Sequence, residues 1–243
     1  NQIGSQHIER LCSAVRNHHL VELDLFDSFE PGIGDEMLAS LLTIDDLKLE
    51  KLGMSSNHIT SVVITLLSDF LATNPMLKGL DLSENNLNDS DAELVANALR
   101  SNTTLQDLDL TDDNSITQNI GVEALYLVMS DDSSLNAAAD SNHTCQINGL
   151  SSYNWHKNWR INRGSKIYHL LFFRHETGSN AKHFDDLDVK ILPNMLDAVQ
   201  KYHNHAIEHD SLRLEPLSIV YEITRKWDKV FPLYKSLGVE RTD

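Results

Sequence analysis

The sequence predicts an α/β solenoid, a curved parallel β-sheet backed by helices, followed by a smaller, mainly α-helical domain. Two observations lead to it. Leucines at 20, 49, 77, 105 and 135 recur at spacings of 29, 28, 28 and 30, and most open a segment of the form L-x-x-L-x-L with an apolar helical spacer behind it. The charge balance also shifts where the recurrence stops: residues 1–150 carry 24 acidic and 6 basic side chains, residues 151–243 carry 12 and 14. The solenoid is therefore expected over residues 1–148 as about five repeats, and the helical domain over 149–243.

The elements follow in order. Ile8, Leu11, Ala14 and Val15 lie at helical spacing and read as the helix of a repeat whose strand is missing, so further repeats are expected upstream. Leu20, Leu23 and Leu25 open a diverged copy closed by Ile33. Leu49, Leu52, Met54, Asn57 and Ile59 form the next, with Val62, Val63, Leu66, Leu67 and Phe70 as its helix stripe. Leu77, Leu80, Leu82, Asn85 and Leu87 fit L-x-x-L-x-L-x-x-N-x-L without a gap; Ser90-Asp91-Ala92-Glu93 reads as a capping box before Leu94, Val95, Ala98 and Leu99. Leu105, Leu108 and Leu110 begin a copy whose Asn114 and Ile116 are each displaced by one residue, with Val122, Leu125, Val128 and Met129 behind. Leu135, Ala138, Asn142 and Cys145 are taken as a decayed last copy.

In an L-x-L strand alternate residues face opposite sides, so the leucines point inward and the x residues outward. The asparagine turns the chain, and its amide can bond backbone groups that the turn leaves unpaired. One such unit cannot bury its own apolar face, so stacking is obligatory. The run from Glu93 through Arg100-Ser101-Asn102-Thr103-Thr104-Leu105-Gln106-Asp107-Leu108-Asp109 to Leu110 resembles the ribonuclease-inhibitor class of leucine-rich repeats. The resemblance covers roughly residues 5–147. It implies a horseshoe, a full helix per repeat, an intracellular (cytoplasmic) setting and protein binding on the concave side.

The outward strand positions of four copies include nine acidic and two basic residues, the latter Lys51 and Lys78. Glu22, Asp24, Asp27, Glu50, Asp81, Glu84, Asp107, Asp109 and Asp112 are the candidate contacts, and Phe26 is the candidate aromatic anchor. Asp24, Asp81 and Asp109 share the central offset, and Gly53 interrupts their column. Such a face repels nucleic acid and favours a basic protein partner. The expected role is an interaction scaffold; a regulator of an enzyme (an inhibitor or small-GTPase activator) and a structural subunit of a larger assembly are the alternatives.

No enzyme, cofactor or metal site is expected. Phosphate-loop and nucleophile-elbow motifs are absent, and His203, His205 and His209 lack the companions a zinc site needs. Cys12 and Cys145 form no disulfide framework and read as packed thiols. The Asn-x-Ser/Thr triplets at Asn88, Asn102 and Asn142 read as turn chemistry. No apolar run approaches the roughly 20 residues of a membrane helix. After Leu150, Ile167, Leu170, Leu171 and Arg174 outline a short helix, Pro193 opens another with Met195, Leu196, Val199 and Tyr202 on one face, and Pro216 a third with Ile219, Val220, Ile223 and Trp227. This tail is expected to cap the solenoid, and it is similar to that of some leucine-rich-repeat proteins of single-celled eukaryotes.

Overall fold

The structure is a computed structural model that describes residues 2–112, 114–148, 163–177, 184, 187–208 and 221, the backbone alone at 175–177 and 202–208. It divides into two compact units, residues 1–129 with 142–161, and residues 130–141 with 162–243.

The first unit is built on five parallel strands in sequential order: β1 (Glu22–Asp24), β2 (Lys51–Gly53), β3 (Gly79–Asp81), β4 (Asp107–Asp109) and β5 (Gln146–Ile147). Helices α1 (Ile8–His18), α2 (Ile33–Leu42), α3 (Ser61–Ala72), α4 (Asp89–Leu99) and α5 (Glu123–Met129) follow one another behind the sheet, each packing on the next. Sequential order with a helix behind the sheet in each crossover makes this a solenoid, in which each repeat leans on its neighbours.

The register explains the core. Leu23, Leu52, Leu80 and Leu108 stand side by side across β1 to β4, and Ile147 continues the row. Leu49, Leu77 and Leu105 at the strand entries, and Leu25, Met54, Leu82 and Leu110 at the exits, are buried in the same core. Each fully buried leucine contributes about 1.5–3 kcal/mol, so three rows of such residues outweigh any single polar contact in holding the stack.

Asparagines supply the polar seam. The Asn57 amide donates to Leu25 O and Ser55 O at 2.7 and 3.0 Å, while its Oδ1 accepts the N–H groups of Ser28 and Phe29. Asn85 repeats this with Met54 O, Leu82 O, Asn57 N and Ile59 N, and Asn114 with Leu82 O, Leu110 O and Leu87 N. Ser28 stands at this position in the first copy and turns its hydroxyl to Phe26 O.

Four sequence expectations are corrected. Phe29, fully buried and bonded to Asn57 as Ile59 is to Asn85, closes the first copy; Ile33 opens helix α2. The capping box of α4 uses Asn88 and Asp91, with Asn88 Oδ1 accepting from Ser90 N and Asp91 N, and Asp91 Oδ2 from Asn88 N. The apolar stripe of the helices is narrower than periodicity suggests: Val62, in the first turn of α3, is 83% exposed, and Leu94 is also exposed. Lastly, Leu135 starts no strand. Ser134 accepts from Ala137 N and caps the short helix α6 (Leu135–Asp140), which belongs to the second unit. The fifth strand starts at Gln146, eleven residues later. There Asn142 repeats the role of Asn102: Asn102 Oδ1 accepts from Thr104 N and Leu105 N, and Asn142 Oδ1 from Thr144 N and Cys145 N.

The second unit packs α6 with α7 (Arg163–Thr177) and α7 with α8 (Leu192–Glu208). Leu135, Ala138, Ile167, Leu171, Phe184, Met195 and Val199 form its core. Arg163 Nε donates to Ala139 O at 2.8 Å and Arg174 Nη2 to the carbonyls of Asp132 and Ser133, cations satisfying backbone acceptors. Leu196 is exposed, apart from the face that Met195 and Val199 bury. Pro193 lies in the first turn of α8 as expected. The tryptophans, His209 and the segment from Pro216, Tyr221 excepted, lie outside the described residues.

Candidate acidic concave face

Two rows of side chains cross the outer side of the strands. The first runs Glu22, Lys51, Gly79, Asp107, Gln146; the second runs Asp24, Gly53, Asp81, Asp109. Between them lies a groove of about 530 Å³ lined by Glu22, Asp24, Asp81, Asp107, Asp109, Lys51 and Asn148, with Gly53 and Gly79 in its floor. The glycines create it, because they withdraw side chains from the middle of both rows.

Asp24 reaches into the space beside Gly53. A Cβ added there would stand 2.7 Å from Asp24 Oδ1, so this carboxylate would have to shift to admit a fourth side chain in the column.

Like charges in register on neighbouring strands destabilise a sheet. Here each aspartate closes a turn on its own chain. Asp24 Oδ1 accepts from Phe26 N at 3.1 Å; Asp81 Oδ1 accepts from Ser83 N and Ser83 Oγ at 2.9 and 2.7 Å. Asp109 Oδ1 accepts from Thr111 N and Thr111 Oγ1, and its Oδ2 accepts from Asn148 Nδ2 at 2.9 Å. Burial pushes the Asp109 carboxyl up, but the Thr111 and Asn148 donors together outweigh it and hold it below its ordinary value. The two lysines are neutralised across strands: Lys51 meets Glu22 and Lys78 meets Glu50, each at 2.7 Å. The bond to Glu22 is the chief reason the Lys51 ammonium is raised above its usual range.

The ten candidate residues therefore fall into three groups. Glu22, Asp24, Asp81, Asp107 and Asp109 come together in the groove. Glu50 is engaged with Lys78 and outside the groove lining, while Phe26 stands just past β1, 58% exposed. Asp27, Glu84 and Asp112 lie beyond the strand ends, in turn residues with φ of 44°, 54° and 49°. Ser56 shares their place in the repeat, has φ of 56° and donates to Glu84 Oε2 at 2.6 Å. Asn148 was missed in the sequence because the last copy was placed at Leu135; its only signal is its distance past Asn142, the residue that repeats Asn102.

Cys12 and Cys145 form no disulfide and are both buried. Burial raises Cys12, and burial with the Asp107 charge pushes Cys145 up to about 12. Asn88 caps α4, and the amides of Asn102 and Asn142 are buried against backbone carbonyls. Among the described residues no cluster of His, Cys, Asp or Glu could hold a metal ion, and no helix is long and apolar enough to cross a membrane.

A family model described as Leucine Rich repeat matches residues 73–96. No curated protein matches the sequence. Among solved structures the fold is similar to Leiomodin-1 Actin-Binding Site 2, at 12% identity and a TM-score of 0.46, over 73% of this chain and 92% of that one. The sequential parallel strands, the leucine rows, the asparagine seam and the matched repeat together give the first unit the fold of a leucine-rich-repeat solenoid.

Proposed function

We propose that the concave face binds a protein through a basic surface, and that the chain is a non-enzymatic interaction module. The observation that carries this is the groove: five carboxylates against one lysine, which is itself paired with Glu22. A cleft lined mainly by one sign of charge draws cationic groups in. Glycines in the floor leave room for side chains from a partner, as a protein-binding face requires. The turn bonds of Asp24, Asp81 and Asp109 hold the carboxylates in place before binding, which lowers the ordering cost of an encounter.

A ribonuclease-inhibitor-like repeat class fits this reading. The repeats in the middle of the chain advance by 28 residues, and α3 and α4 are full helices of 12 and 11 residues. An intracellular setting agrees with two buried cysteines that form no disulfide. The helical segment after residue 148 is read as a cap on the repeats.

The test is binding of a fluorescein-labelled lysine-rich peptide as salt is raised, for wild-type protein and for Asp81→Asn with Asp107→Asn. The reading expects affinity to fall steeply with salt and the double variant to lose about tenfold or more, as removing desolvated charge partners does. Equal affinity for both proteins would move the site off this face.

A further inference from the structure

We infer that the partner of this face carries an apolar side chain at one end of its basic stretch, and that Phe26 receives it. This rests on the basic-partner reading and gives it a direction.

The residue six places after each opening leucine is Phe26, Ser55, Ser83 and Thr111. The hydroxyls at three of these are used within the protein. Ser83 and Thr111 bond the aspartate two residues earlier, and Ser83 Oγ also donates to Ser55 Oγ at 3.0 Å. Ser55 and Ser83 are buried. Phe26 has no such group to offer. Its backbone N–H bonds Asp24, as the N–H groups of Ser83 and Thr111 bond their aspartates, but its ring is 58% exposed. The fold does not need an aromatic ring there, since the same turn is built with serine or threonine in three other repeats. An exposed aromatic group beside a row of charge is the composition of an interface anchor with its polar surround.

The charge on the face has a direction that fits. At the β1–β2 end Glu22 is neutralised by Lys51, which leaves Asp24, beside Gly53, as the one groove carboxylate there that meets no lysine. At the β3–β4 end Asp81, Asp107 and Asp109 gather, with Gly79 and Gln146, both uncharged, beside Asp107 in register. A partner matched to this pattern sets its apolar group over β1 and its cations over β3 and β4. Adjacent strands are about 4.8 Å apart and an extended chain advances about 3.3 Å per residue. The two to three strand steps from β1 to β3 and β4 therefore correspond to about three to five residues of an extended segment lying across the sheet.

The experiment compares two fluorescein-labelled peptides by fluorescence polarisation at low salt, each made in both chain directions: Phe-Gly-Gly-Lys-Gly-Lys and Gly-Gly-Gly-Lys-Gly-Lys. Proteins are wild type, Phe26→Ser, and Asp81→Asn with Asp109→Asn. Serine is the residue two other repeats already carry, and thermal melts verify that the variants fold. In one chain direction the apolar-ended peptide is expected to bind wild type about tenfold tighter, a typical hot-spot contribution. Phe26→Ser abolishes that difference and leaves the salt dependence unchanged, whereas the aspartate variant weakens both peptides and flattens the salt dependence. Equal binding of the two peptides to wild type, or a difference that survives Phe26→Ser, overturns the inference and leaves the basic-partner reading standing. Failure of every peptide to bind wild type overturns both.

Discussion

Asn57 and Asn85 hold the same place in successive repeats, and the second supports the first: Asn85 Oδ1 accepts the backbone N–H of Asn57 at 3.1 Å while its amide donates to three carbonyls. Each asparagine thus satisfies its own turn and the turn before it. Replacing Asn85 by Ala leaves two buried N–H groups and up to three carbonyls short of a partner. Each such loss costs about 1–3 kcal/mol, and water entering the gap recovers part of it. Asn85→Ala is expected to lower stability by about 3 kcal/mol or more in a denaturant titration. Asn114→Ala, at a partly buried site with fewer contacts, is expected to lose less. Equal losses at the two sites would mean that the seam is not what the asparagines contribute.

Gly34, in the first turn of α2, lies against the same seam. A Cβ there would meet the Asn57 carbonyl oxygen within bonding range, and that oxygen belongs to backbone that cannot swing aside. Gly32 nearby has φ of +87° and open space around its Cβ position. Gly34→Ala is expected to cost more than about 3 kcal/mol through displacement of α2 from β2, against about 1–2 kcal/mol of backbone strain for Gly32→Ala. Thermal melts of the two variants measure the contrast, and the prediction fails if Gly32→Ala is the worse.

Most of the repeat architecture could be read from the leucines, because the L-x-L period and the 28-residue spacing are imposed by stacking and tolerate few exceptions. The rows Asp24, Gly53, Asp81, Asp109 and Glu22, Lys51, Gly79, Asp107 follow from counting offsets, and the register places them so. Two things could not be read that way. The first is the last repeat. From Asn142 to Ile147 there is one residue fewer than from Asn102 to Leu108, and cysteine and isoleucine stand where leucines would, so Leu135 offered a better match to spacing than the true strand. The second is the use of the aspartates. Pattern shows carboxylates facing out, but only the structure shows them closing turns with Ser83 and Thr111, a structural reason for a column that charge repulsion alone would disfavour. Asp27, Glu84 and Asp112 belong with this second group, since alternation continues on paper past the point where the backbone turns left-handed.

The cysteines should be inert in the folded protein. Cys145, fully buried and pushed up to about 12, holds only about one thiolate in ten thousand at pH 8. Cys12 is buried on α1 and also raised by burial. Reaction with a disulfide reagent at pH 8 is expected to proceed at the rate of unfolding for Cys145 and faster for Cys12, through fraying of α1. Both should react promptly in guanidinium. Rapid labelling of Cys145 under native conditions would show that β5 is not packed as described.

Acid stability tests the local role of Asp109. Its folded carboxyl is held below the ordinary value, despite burial that raises it, because the Thr111 hydroxyl, the Thr111 N–H and Asn148 donate to it. In the unfolded chain the same group titrates near the usual value of about 3.9. A depressed folded value means that ionised Asp109 favours the folded state at all pH above about 4, and that this contribution fades as acid protonates the group through its lower folded value. Thr111→Val removes the hydroxyl donor with little change of shape. It should lower Tm at pH 7, and the gap to wild type should narrow steadily below about pH 4 as both proteins lose the charge. If the gap stays constant from pH 7 down to about 2.5, the threonine acts through packing, and the carboxylate at the β4 end of the acidic row is not anchored by the bonds described.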